Sequence, residues 1–180
     1  MSRINPVSKE TANPKSLEIL TAVNKALGIV PNMVATMAQS PAVANAYVGF
    51  NNALSQGSLS AKIRERIALT VAEENSCDYC LAAHTFLGKK VGLSEAEVVN
   101  ARRGTSDEPK VAAALAFATK VVEKRGQVTD ADVAALRQHG FSDGEITEII
   151  GNVVLNIFTN YLNIAAGTEI DFPLAPALTP

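Results

Sequence analysis

Helix-start signals punctuate this chain every few turns and leave little room for any other secondary structure. Ser60 stands before a strongly apolar run. Ser94 is followed three residues later by Glu97, and Ser142 by Glu145. In both pairs the hydroxyl can cap the first turn while the carboxylate reaches back to the cap residue. Thr129 and Asp132 form a similar pair. Pro31, Pro41 and Pro109 mark further starts, because a proline in the first turn gives up an N–H that has no partner there anyway. Apolar residues between the signals recur at helical spacing, as Leu17, Leu20, Val23 and Leu27 do, and sustained strand-like alternation is absent. The spacing predicts helices over 16–27, from Pro31, and over 41–54, 60–73, 77–90, 94–103 and 109–125, then one after Thr129 and a long last one after Ser142. Short loops favour adjacent, roughly antiparallel helices. The expectation is an all-α, single-domain helical bundle over 1–180. It carries an N-terminal arm or tail over 1–13 and an extended tail over 172–180, where Pro173, Pro176 and Pro180 fall.

A chain of 180 residues with 47% hydrophobic content can fill one core. Sixteen basic against eighteen acidic residues leave no basic stripe for nucleic acid and no polybasic tract for an anionic membrane. Residues 1–10 hold no apolar run of the signal-peptide kind. The most apolar stretch, 149–166, is interrupted by four asparagines, so no membrane span is expected. A reducing cytoplasm is the expected location. There, two close cysteines point to catalysis or metal binding more than to a structural staple.

The chain's only two cysteines lie in Cys77-Asp78-Tyr79-Cys80, and one of its two histidines, His84, follows four residues on. With Cys77 at a helix entrance, positions 77, 80 and 84 share one helix face. Unpaired N–H groups and the positive dipole end of the first turn favour a thiolate over a thiol. His84 stands one turn past Cys80, where it can take the thiol proton directly or through one water. Glu65 belongs to the preceding helix, among Ala68, Leu69 and Ala72, so its carboxylate is expected to be partly buried and to need a partner. At about 1.5 Å per residue, antiparallel packing brings it within about one turn of the height of His84. The 56–104 region is therefore the candidate redox segment, with Glu65, Cys77, Cys80 and His84 as candidate catalytic residues in a Glu–His–Cys relay. Two other readings stand beside this one. Cys77, Cys80 and His84, with Glu65 or His139, could supply zinc ligands in a structural module, or the cysteines could be buried and inert.

Glu65, eleven intervening residues, Cys77-x-x-Cys80, three residues and His84 resemble the signature of the AhpD-like alkylhydroperoxidases of the carboxymuconolactone decarboxylase superfamily. The specific match covers about residues 60–92. The resemblance implies an all-α fold that forms homo-oligomers, trimers or hexamers, and thiol-dependent peroxidase or disulfide-reductase activity with no cofactor. Carried over by position, Cys80 attacks the hydroperoxide and becomes a sulfenic acid. Cys77 then condenses with it and meets the external thiol reductant, a dihydrolipoyl or thioredoxin-type protein, while Glu65 and His84 run the proton relay. Some members place a second histidine where this chain has Tyr79, a poor base near neutral pH. Members that decarboxylate a lactone generally lack the cysteine pair.

Three other features carry expectations. Asn152, Asn156, Asn160 and Asn163 lie along one ridge of the last helix, either as a solvated face or as a polar seam at an interface or cleft. Ile149, Val153, Val154, Ile157 and Phe158 on the same helix read as core. Phe86 and Leu87 read as core or as walls of a pocket beside the thiols. Arg64 and Arg66 read as surface or interface charges.

Overall fold

The structure, a computed structural model, describes residues 2–178. Among these there are nine α-helices and no strand. In chain order they are α1 (Pro14–Leu27), α2 (Asn32–Met37), α3 (Pro41–Ser55), α4 (Ala61–Glu74), α5 (Asp78–Lys90), α6 (Glu95–Arg102), α7 (Pro109–Glu123), α8 (Asp130–Gln138) and α9 (Asp143–Ala166). The sequence signals act where they stand. Ser60, Ser94, Thr129 and Ser142 each accept from the backbone N–H three residues on, and the last three close full capping boxes with Glu97, Asp132 and Glu145. Pro41 and Pro109 open α3 and α7, and Pro31 sits one residue before α2. Pro173 and Pro176 lie in extended chain, and Pro180 lies outside the described residues.

α4 is the hub, packed by α5, α6, α7 and α9. Residues 66–72 of it are buried on every side, so it is enclosed rather than amphipathic. Ile67, Leu69 and Val71 join Leu115, Phe117, Leu136, Ile149 and Val153 in the main core. α9 is long and apolar enough to cross a membrane by length and composition, but half of its apolar window is buried within the bundle.

Packing reverses several sequence expectations. Arg66 is not a surface charge. It is 3% exposed, and its guanidinium meets Glu97 at the head of α6 and Glu108, 2.9 Å away, just before α7. An enclosed arginine is tolerable because both carboxylates neutralise it. Val154 and Phe158 are exposed, whereas all four asparagines of the α9 ridge are buried, so that helix is turned opposite to a simple polar-out reading. Leu17 and Leu27 are also exposed. α1 buries Ser16, Ile19 and Leu20 instead, with the Ser16 hydroxyl donating to the carbonyl of Ala38 at 2.6 Å. The N-terminal arm packs on its own chain. Arg3 donates through its backbone to the Ala166 carbonyl and through Nη1 to those of Ile164 and Ala165, closing the C-terminal end of α9.

Glu97 joins local capping to tertiary packing. One carboxylate oxygen accepts from the backbone N–H of Ser94 at 2.7 Å while the other holds Arg66. The Ser94 backbone N–H, then its hydroxyl, then Arg66 lower the carboxyl from 4.5 to about 2. The stability it contributes is therefore complete above pH 4.5 and lost as pH falls toward about 2. Denaturant midpoints of Glu97→Gln and the parent should differ at neutral pH and converge across that window. A gap that does not narrow would contradict this linkage.

Candidate active site

The site is built on the corner between α4 and α5. α4 ends in a Schellman turn: Ser76 N–H bonds to the Glu73 carbonyl and Cys77 N–H to that of Ala72, both at 2.9 Å. Ser76 takes the left-handed conformation the turn requires, with φ 52°. Cys77, the last residue of this turn, is also the N-cap of α5, and its Sγ accepts from the Cys80 N–H at 3.3 Å. The chain thus reverses within two residues and sets Cys80 in the first turn of α5. Cys77 and Cys80 form a disulfide, so the structure represents the oxidised state of the pair.

α4 and α5 bring Glu65 and His84 together, with Oε2 2.8 Å from Nδ1 and each side chain about one-fifth exposed. When the imidazole is neutral, a carboxylate at Nδ1 holds the hydrogen there and leaves Nε2 as the free base. His84 stands one turn beyond Cys80 on the same face. Both residues, with Glu65, border a cleft of about 850 Å³. Its walls include Ile19, Val23, Met33, Leu155, Phe86 and Leu87. Cys77 is not among the lining residues and is 1% exposed.

Tyr47 of α3 also faces the cleft. Burial, and then the charge of Glu65, push its phenol up to about 12, so it can serve only as a neutral hydroxyl. Tyr79 stands where a second histidine occurs in some similar motifs, and its hydroxyl is already engaged. It accepts from the Met33 N–H at 3.2 Å and bonds the Asp171 carboxylate, and burial drives its phenol far above the ordinary value. Tyr79 is an anchor for the chain's end rather than a base. Phe172 packs edge-on against it, with ring centroids 5.9 Å apart, and meets Phe86 at 5.8 Å. Ala175 joins the apolar cluster around Cys77, and the Pro176 carbonyl accepts from Arg102 at 2.6 Å. The C-terminal segment is therefore a strap laid over the disulfide.

His139 ends α8, with Nδ1 2.8 Å from the carbonyl of Ala135. Among the described residues no group of three or more His, Cys, Asp or Glu side chains is gathered to hold a metal. Sequence reasoning missed Tyr47 and Phe172, isolated aromatics with no local signal. It noted Asn163 only as part of a ridge. In the structure Asn163 Nδ2 lies 3.4 Å from Cys80 Sγ.

Residues 41–124 match the carboxymuconolactone decarboxylase family. Among solved structures, an AhpD-core, uncharacterised peroxidase-related protein from Ralstonia eutropha JMP134 is 26% identical. It superposes with a TM-score of 0.86 over 94% of this chain and 92% of its own. An uncharacterised peroxidase-related protein from Silicibacter sp. TM1040 is 25% identical, with a TM-score of 0.80 over 92% and 91%. The debrominase Bmp8 shares the fold at 21% identity, with a TM-score of 0.78 over 93% and 91%. No curated protein sequence matches significantly. The matched segment contains the whole Glu65–Cys77–Cys80–His84 constellation, and with the all-helical fold it makes this chain similar to the AhpD-like proteins of the carboxymuconolactone decarboxylase superfamily.

Proposed function

We propose that this protein is a thiol-dependent peroxidase that reduces organic hydroperoxides through Cys80 and Cys77. One observation carries the reading: of the two cysteines only Cys80 borders the cleft, beside the Glu65–His84 pair. In the reduced enzyme His84 Nε2 takes the Cys80 proton, and Glu65 stabilises the imidazolium that forms. The thiolate attacks the terminal oxygen of R–O–O–H. The S–O bond forms, the O–O bond breaks, and the departing alkoxide takes the proton back from His84. Cys77 thiol then displaces water from the Cys80 sulfenic acid, giving the disulfide. Two electrons from an external dithiol, of dihydrolipoyl or thioredoxin type, restore both thiols. Attack on Cys77 expels Cys80 toward the cleft, where His84 can reprotonate it.

The same reading includes a cytoplasmic setting and a homo-oligomer. Ile150, Val154, Phe158, Tyr161 and Ile164 form an exposed apolar stripe along α9, which supports self-association. A peroxidase assay with tert-butyl and cumene hydroperoxides and a panel of dithiol donors tests the activity. Donor oxidation dependent on hydroperoxide is expected. Oxidation that requires instead a disulfide acceptor would make the protein a disulfide reductase serving a separate peroxidase.

The strap bears on the reductive half-reaction, because Cys77 lies beneath it. Phe172→Ala should loosen the strap and speed reduction of the oxidised enzyme severalfold with a protein dithiol, and less with dithiothreitol. Stopped-flow measurement of thiol release checks this. Equal rates for the variant and the parent would show that the strap does not limit access.

A further inference from the structure

Asn163 is a buried polar group that the relay leaves unused, and it touches the reacting atom. It lies on α9, 83 positions from Cys80 in the chain, and is 3% exposed. Its Nδ2 is the donor 3.4 Å from Cys80 Sγ, within the reach of a hydrogen bond to sulfur. Its Oδ1 is buried without a partner, although Asn163 lines the cleft. A buried acceptor left unpaired is costly, and such groups are rare in folded proteins unless something else occupies them. The neighbouring cleft asparagines differ in this respect. Asn152 and Asn156 turn their amide nitrogens back to the carbonyls of Glu148 and Asn152, four residues earlier on their own helix. Asn163 instead aims its amide across the helix interface at the sulfur. Its position is well fixed: its own carbonyl accepts from Thr168, and Arg3 holds the next two carbonyls at that end of α9.

We infer that Asn163 is a catalytic residue of Cys80, its amide N–H stabilising the thiolate and its Oδ1 receiving the hydroxyl hydrogen of the hydroperoxide and then of the sulfenic acid. The inference rests on the peroxidase reading for its second half only. A hydrogen bond from an amide to a neutral disulfide sulfur is weak, and the same bond to a thiolate is charge-assisted and stronger. The contact therefore strengthens when the disulfide is reduced. It also favours Cys80 as the leaving sulfur, which directs the incoming reductant to Cys77. When the thiolate takes the terminal oxygen of R–O–O–H, the new Sγ–O–H carries a hydrogen that needs an acceptor. Oδ1 belongs to the same amide that meets Sγ and has no partner within the chain. Besides Cys80 itself, the titratable groups that share this cleft are Tyr47 of α3, Arg64 and Glu65 of α4, Tyr79, His84 and Lys90 of α5, and Lys15 and Glu18 of α1. α9 contributes none.

The test uses the full chain in a Cys77→Ser background, where Cys80 is the sole thiol. Iodoacetamide alkylation against pH reads thiolate formation, and trapping of sulfenic acid after addition of cumene hydroperoxide reads the oxidation. Asn163→Leu should move the alkylation midpoint up by about one pH unit, a roughly tenfold slower reaction below it. Asn163→Asp should move it further, because a carboxylate repels the thiolate. Asn163→Ala gives the same readout if leucine does not fit. Compared at equal thiolate fraction, sulfenic acid formation should also be slower without Oδ1. An unchanged midpoint in a folded Leu or Ala variant would overturn the inference. If no variant, the parent included, forms sulfenic acid while the midpoint still moves, the peroxidase reading fails and the thiolate contact stands.

Discussion

Cys80→Ser should abolish hydroperoxide turnover with every thiol donor, whereas Cys77→Ser should still consume one equivalent of hydroperoxide and then stop. The difference follows from where the sulfurs lie. Cys80 borders the cleft beside His84, so a hydroxyl in its place leaves no nucleophile able to ionise near neutral pH. Cys77 is buried in an apolar cluster with Tyr79, Phe172 and Ala175 and does not border the cleft. Its loss leaves the first oxidation intact but removes the thiol that converts sulfenic acid into a recyclable disulfide. Mass spectrometry of the Cys77→Ser enzyme after one addition of hydroperoxide should show a single added oxygen on Cys80. Sustained turnover of that variant with a dithiol donor would reverse the assigned roles.

His84→Gln should slow hydroperoxide reduction by about a hundredfold near neutral pH, in the range expected for loss of a general base. The sign of the pH dependence is fixed by the chemistry. Without His84 the reaction depends on unaided ionisation of the thiol, so the rate climbs with pH and the deficit shrinks in alkaline solution. Glu65→Gln should cost less, because it removes the group that orients and charges the imidazole but leaves the imidazole itself. Since Glu65 Oε2 and His84 Nδ1 are 2.8 Å apart and act as a unit, the double variant should be little worse than His84→Gln alone. Fully multiplicative losses in the double-mutant cycle would show that the two residues act separately.

Sequence reading recovered most of the fold because the governing interactions are short. A capping hydroxyl and its target N–H are three residues apart, so Ser60, Ser94, Thr129 and Ser142 declare their helices with no knowledge of the tertiary structure. The motif was legible for the same reason, since Cys77, Cys80 and His84 are spaced by one helical turn on one face. Facing was less legible. Val154 and Phe158 read as core because they are apolar, yet α9 turns them outward and buries its asparagines against α4, α5 and the cleft. Arg66 read as surface for the converse reason: its two carboxylate partners come from other parts of the chain and only folding brings them to it.

By itself, then, the sequence determined an all-helical chain and a thiol pair at a helix entrance with a base one turn on, because caps and helical periodicity act over three or four residues. The Glu65–His84 pairing followed from antiparallel helix heights, but tertiary structure alone decided which sulfur faces the cleft, that Asn163 reaches Cys80 from α9, and that Phe172 covers the pair. Those contacts join residues far apart in the chain. They depend on how each helix is rotated in the bundle, which the sum of many weak packing contacts sets and no local pattern encodes.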